Sequence, residues 1–163
     1  MPMATNEQRP NERGSPQPGS ASGKGIVQNA PRRVLRVPHP MPTILVVDDD
    51  PGIRDNLTTL LEEEGFRVMQ AGDGAQALEI ATRIQPQLIL SDIYMPVLDG
   101  LGLLAAIRHH QTLARIPVLL MSAIQPAAAR SRGVPVIGKP FDFDQVLGMI
   151  RANLSHGSRR LSA

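Results

Sequence analysis

The stretch Leu88-Ile89-Leu90-Ser91-Asp92 constrains the fold more than any other part of the sequence. Three apolar residues run into a carboxylate with no polar alternation before it. Such a run suits a strand buried on both faces, the environment of a central strand in a parallel sheet. Ile44-Leu45-Val46-Val47 has the same form and runs into Asp48, Asp49 and Asp50. Open α/β sheets bind their ligands beyond the carboxyl ends of the strands. Two neighbouring strands ending in carboxylates would bring like charges together, and a bound cation makes that tolerable.

The rest of the foldable chain alternates strand and helix around these two runs. The first strand spans Thr43 to Val47. Asp50 caps a helix with Pro51 at its first position, where the missing N–H does no harm. Ile53, Leu57, Leu60 and Leu61 give that helix one apolar face, and Gly65 ends it. Phe66 to Ala71 reads as a second strand. A helix beginning at Asp73 carries Ala77, Leu78, Ala81 and Ile84 inward, and Pro86 closes the unit before the Asp92 strand. A third helix starts near Asp99-Gly100 with Leu103, Leu104 and Ile107. Ile116 to Met121 is a fourth strand ending at Ser122, and Val134 to Ile137 a fifth. Pro135 puts the fifth strand on a sheet edge, because proline cannot donate to the ladder. Between these strands the Ala-rich Gln125 to Arg132 allows only a short or degenerate fourth helix. A last helix, capped by Asp142, turns Val146, Leu147 and Ile150 inward. Five strands alternating with helices imply an α/β domain, a doubly wound, flavodoxin-like parallel sheet in the order 2-1-3-4-5. No internal repeat is visible.

Domain organisation follows from composition. Residues 1–42 hold eight prolines and four glycines and lack apolar periodicity before Val34-Leu35, so they are expected to be a disordered, basic extension. Met41 stands directly before the first strand and would be an economical start for the domain. Residues 43–154 form the domain, and residues 155–163 a flexible tail. Residues 1–42 hold six basic against two acidic side chains and residues 151–163 three basic and none acidic, which leaves residues 43–150 at −5 although the whole chain is +2. The folded part is therefore acidic, and the basic ends read as solvated tails rather than a nucleic-acid surface. The absence of cysteine excludes disulfides, thiolate zinc sites and cysteine nucleophiles. With neither a signal-peptide core nor a long apolar span, a soluble cytoplasmic protein without a membrane partner is expected.

The expected rim of strand ends gathers three carboxylates, a hydroxyl and a lysine. Mg2+ takes oxygen ligands from one or two carboxylates and keeps several waters. Asp92 is placed to attack phosphorus and form an aspartyl-phosphate. Ser122 can donate to a phosphoryl oxygen, and Lys139 brings a mobile positive charge to another. Taken singly, each group has an ordinary explanation: Asp50 as a helix cap, Asp48-Asp49-Asp50 as a solvated turn, Ser122 and Lys139 as surface residues. The ordered set, each member at the end of an apolar run, is what points to phosphoryl transfer. The histidines His39, His109, His110 and His156 fall in tails or near helix ends and suggest no metal ligand.

Val46-Val47-Asp48-Asp49-Asp50, Ser91-Asp92-Ile93-Tyr94-Met95-Pro96 with Asp99-Gly100, Met121-Ser122-Ala123 and Lys139-Pro140-Phe141 together resemble the receiver domain of two-component response regulators, over about Thr43 to Leu154. The resemblance implies that Asp92 accepts a phosphoryl group from a histidine kinase or a histidine phosphotransfer protein. It also implies Mg2+ held directly by Asp49, Asp92 and the backbone carbonyl of Tyr94, with Asp48 helping through water. Ser122 would be the switch hydroxyl, Lys139 the phosphate-pairing lysine, and Lys139-Pro140 a cis bond. Two departures stand out. The family's aromatic switch position in the fifth strand is Val136, and the Ser122 to Lys139 segment is shorter than usual by more than a helical turn.

Too little chain follows Leu154 to fold an output module. The expectation is a stand-alone, chemotaxis-type phosphoryl-accepting switch that is not an enzyme and signals through a downstream protein. The shortened segment leaves room for a second reading, a receiver-like docking module that works without phosphorylation. A third, a Mg2+-dependent phosphatase with an aspartyl nucleophile, would require a second acid two residues after Asp92, where this chain has Tyr94.

Overall fold

The structure, a computed structural model, describes residues 41–124 and 133–159. Residues 1–40 of the expected disordered extension, the expected short fourth helix at Gln125 to Arg132 and the last residues of the tail lie outside these. Pro42, read as part of the extension, already bonds to the sheet through its carbonyl, which accepts from the Arg67 amide. The described elements run β1 (Thr43–Val47), α1 (Pro51–Glu63), β2 (Arg67–Ala71), α2 (Gly74–Ile84), β3 (Leu88–Asp92), α3 (Gly100–His109), β4 (Val118–Ser122), β5 (Val136–Gly138) and a last helix, α4 (Phe143–Arg159). The five strands form one parallel sheet in the order β2-β1-β3-β4-β5, with β3 in the middle. This is the doubly wound order expected from the sequence.

The apolar runs work as double-sided core. Leu45, Val47, Ile89 and Leu120 face one way, against Ala77, Ile80 and Ala81 of α2 and Leu103, Leu104 and Ile107 of α3. Ile44, Val46, Leu88, Leu90, Leu119 and Met121 face the other way, against Leu57 and Leu61 of α1 and Val146, Leu147 and Ile150 of α4. Strand side chains alternate in direction, so an uninterrupted apolar run fills both layers. All five residues of β3 and all five of β4 are buried.

Helix ends follow their capping residues. The Asp50 carboxylate accepts from the amides of Gly52 and Ile53, with Pro51 at the first helical position. At the other end Gly65 takes φ +84°, its amide bonds to Glu62 O, and the Phe66 amide bonds to Leu61 O. That is a Schellman motif, with its usual apolar contact supplied by Phe66 and Leu61 in one cluster. Asp73, Asp99 and Asp142 cap the other three helices.

Several boundaries differ from the sequence reading. β4 begins at Val118 rather than Ile116, and β5 at Val136 rather than Val134. In each case a proline precedes the strand: Pro117 and Pro135 offer no N–H, yet their carbonyls accept from Ile89 and Leu120. Pro135 therefore leads into the edge strand instead of lying in it. β2 starts one residue late because Phe66 closes α1. Within α2 the buried isoleucine is Ile80, while Ile84 is 39% exposed. Gln85 follows Ile84 in the left-handed region, so the helix ends with Ile84 on its outer edge. The last helix continues to Arg159 rather than fraying after Asn153. No helix among the described residues is long and apolar enough to cross a membrane.

Candidate functional site at the strand tips

The C-terminal ends of β1, β3, β4 and β5 converge on Lys139. Its Nζ lies 2.8 Å from Asp48 Oδ2 and 2.7 Å from Asp92 Oδ1. Both carboxylates are buried, at 1% and 6% exposure, so the ammonium is what makes their proximity tolerable. Burial pushes the Lys139 ammonium down, but hydrogen bonds and charge attraction from Asp48 and Asp92 outweigh it and hold its pKa above the ordinary lysine value. Lys139 is delivered by β5: its amide donates to Ser122 O at 2.8 Å, and the Lys139-Pro140 bond is cis, as the resemblance implied.

Asp48 is bonded through every polar atom. Its amide donates to Ala71 O at 3.2 Å. Its carbonyl accepts from Arg54 Nη1 at 2.6 Å, Oδ1 accepts from the Asp50 amide at 3.0 Å, and Oδ2 accepts from Lys139. Asp49, one residue on, is exposed. The Asp92 carboxylate has one oxygen on Lys139 and the other accepting from the Tyr94 amide at 2.9 Å. The Asp92 carbonyl accepts from Ser91 Oγ at 2.8 Å. A Cβ on Gly100 would stand 2.2 Å from that carbonyl oxygen, so α3 can start against β3 only because residue 100 is glycine.

The loop from Tyr94 to Asp99 holds a strained turn. Val97 takes φ +66° while the Leu98 amide donates to Pro96 O at 2.8 Å, which makes a γ-turn centred on a β-branched residue. Val97 is 84% exposed, so no packing compensates the strain. Nothing in the sequence signalled a left-handed valine.

The structure thus brings Asp48, Asp92 and Lys139 into direct contact, with Asp49 and Tyr94 beside them. It does not bring the Ser122 hydroxyl to the carboxylates. Ser122 is buried, and its Oγ donates to Ile124 O and accepts from the Ile124 amide at 3.2 Å. The sequence reading missed Arg54, although its position one helical turn past the Asp50 cap could have drawn attention to it.

Among the described residues, no three acidic, histidine or cysteine side chains are arranged to hold a metal between them. The oxygen donors present instead suit a hard cation that needs only one or two carboxylates and keeps much of its water, which fits Mg2+. By the resemblance to receiver domains, Asp49, Asp92 and the Tyr94 carbonyl would be the groups that hold it, with Asp48 helping through water.

Comparison with known proteins agrees with this geometry. Residues 44–151 match the family model described as the response regulator receiver domain. The chain is 36% identical over 124 residues to the DNA-binding dual master transcriptional regulator RpaA of Synechocystis sp., a match covering 73% of this chain and 52% of that protein. The chain spans about half the length, or less, of the first curated relatives it matches. Among solved structures, the chemotaxis response regulator CheY4 of Vibrio cholerae superposes with a TM-score of 0.65 at 27% identity, over 70% of this chain and 99% of that one. The N-terminal domain of a response regulator receiver protein from Methanoculleus marisnigri is 36% identical with a TM-score of 0.58, over 69% of this chain and 96% of that one.

Proposed function

We propose, for a chain that belongs to the family of response regulator receiver domains, that it accepts a phosphoryl group on Asp92 and signals by protein contact. The donor is the phosphohistidine of a histidine kinase or a histidine phosphotransfer protein, and the setting is the cytoplasm. The observation that carries this reading is the buried pair of carboxylates from β1 and β3 held on one lysine ammonium, with an unburied carboxylate, Asp49, beside them.

A carboxylate oxygen of Asp92 attacks phosphorus, the P–N bond breaks, and its electron pair leaves on the imidazole. Lys139 already stands against Asp92 Oδ1 and neutralises charge that builds on the incoming phosphoryl oxygens. The Tyr94 amide fixes the rotation of the Asp92 carboxylate. Bound Mg2+ would add neutralisation of the remaining phosphoryl charge. For Ser122 to reach a phosphoryl oxygen, its hydroxyl must leave Ile124. That exchange of partners is the conformational step the site offers.

The test is incubation with acetyl phosphate and Mg2+, read by intact mass. The full chain should gain one phosphoryl group and Asp92→Asn none. Equal labelling of the Asn variant would remove Asp92 from the role. No labelling of the wild type would favour a docking module that works without phosphorylation, a reading consistent with the tied hydroxyl of Ser122.

A further inference from the structure

We propose that Arg54 is a positioning residue for the cation site, acting through the main chain to aim Asp49. This rests on the phosphoryl-acceptor reading above. The Arg54 guanidinium reaches back along α1 and donates to the Asp48 carbonyl at 2.6 Å, the one polar atom of Asp48 served from that helix. It passes Gly72, where a Cβ would lie at ordinary contact distance, 3.7 Å from Arg54 Nη1. That carbonyl belongs to the peptide unit joining Asp48 to Asp49. Fixing its plane fixes the direction in which Asp49 leaves the strand tip.

Asp49 depends on this restraint more than its neighbours do. Asp48 is pinned by its own side chain on Lys139 and the Asp50 amide, and Asp92 by Lys139 and the Tyr94 amide. Asp49 is exposed, and no hydrogen bond or ion pair to another described residue holds its carboxylate. Its placement therefore comes from the backbone, held by the Asp48 amide on Ala71 O and by Arg54 on the next carbonyl. Groups that orient a metal ligand without touching the metal commonly change its affinity by about tenfold or more.

Charge and positioning predict opposite signs, which makes the inference testable. Arg54 is a cation close to an acidic site, so removing it should, on electrostatics alone, strengthen Mg2+ binding. If positioning dominates, removal weakens it. In Arg54→Met we expect Mg2+ affinity, measured by calorimetry on the full chain, to fall about tenfold. In the metal-free state the Asp50 amide should exchange with solvent faster than in wild type. Arg54→Lys, which restores a donor, should recover most of the affinity. If Arg54→Met fails to fold, Arg54→Gln carries the same test, since it keeps a polar end on α1 but stops short of the carbonyl. A folded Met or Gln variant that binds Mg2+ as tightly as wild type, or more tightly, overturns the proposal. A wild type that neither binds Mg2+ nor takes a phosphoryl group from acetyl phosphate would instead overturn the functional reading, so the two failures are distinct.

Discussion

Lys139 is the residue on which the electrostatics of the site turn. Two buried carboxylates face it, so Lys139→Met leaves both without a counter-charge and should cost about 3 kcal/mol at neutral pH. The sign of the pH dependence follows from the raised pKa. A lysine held above its ordinary value contributes its full stabilisation below about pH 10.4 and loses it as pH rises through the folded-state value. Denaturant unfolding from neutral pH to about pH 11 should therefore show the gap between wild type and Lys139→Met closing only at the alkaline end. A gap that closed on acidification alone would contradict the assignment. Val97 makes the opposite case, a residue whose removal should help. A left-handed β-branched residue with 84% exposure stores strain without packing. Val97→Gly should raise stability by about 1 kcal/mol in the same measurement, and a loss would mean that the valine side chain is held by something unseen.

Among the elements, β4 and β5 and the loops after them decide how far a modification at Asp92 can be felt. Ser122 ends β4 with its hydroxyl engaged by Ile124, and Ile124 is itself 67% exposed. In β5 the half-buried Val136 has neither a ring to swing nor a hydroxyl to satisfy. A modification shifts an equilibrium only through contacts that differ between two states, and the described residues of these elements offer few. Amide shifts with and without a beryllofluoride phosphate mimic should concentrate at Asp49, Asp92, Ser122, Ile124 and Lys139. Large shifts across Val146 to Ile150 would show that α4 is an output face after all. The elements were legible in the sequence wherever a physical signal was redundant. Asp50 with Pro51 and the two apolar runs each carried more than one cue, whereas Gly65 alone marked the end of α1 and Phe66, which closes it, was read into β2. Strand starts at Val118 and Val136 were not legible, because a proline's carbonyl can pair while its nitrogen cannot, and apolar character does not distinguish the two. Ile84 misled for a similar reason, since helical spacing does not reveal where the sheet beneath the helix ends.

For the molecule as a whole, both layers of core and the acidic rim lie within residues 41–159. Pro42 already belongs to the sheet's hydrogen bonding, its carbonyl accepting from the Arg67 amide at 3.0 Å. A chain starting at Met41 should thus melt within a few degrees of the full-length protein by calorimetry, and a large drop would mean that residues 1–40 dock on the domain. At this scale the sequence was most informative, because a doubly wound sheet forces its strand ends onto one rim and so turns separated carboxylates into neighbours. It was least informative about side-chain partners: the place of Arg54 one turn past the Asp50 cap flags the residue but not its bond to the Asp48 carbonyl, and no spacing predicts Ser122 on Ile124. The central claim, a mixed anhydride at Asp92, has a direct chemical signature. Borohydride reduction of the protein after treatment with acetyl phosphate and Mg2+, followed by peptide mapping, should find homoserine at position 92. Phosphate that resists borohydride and maps to a serine or histidine, with aspartate intact at position 92, would contradict it.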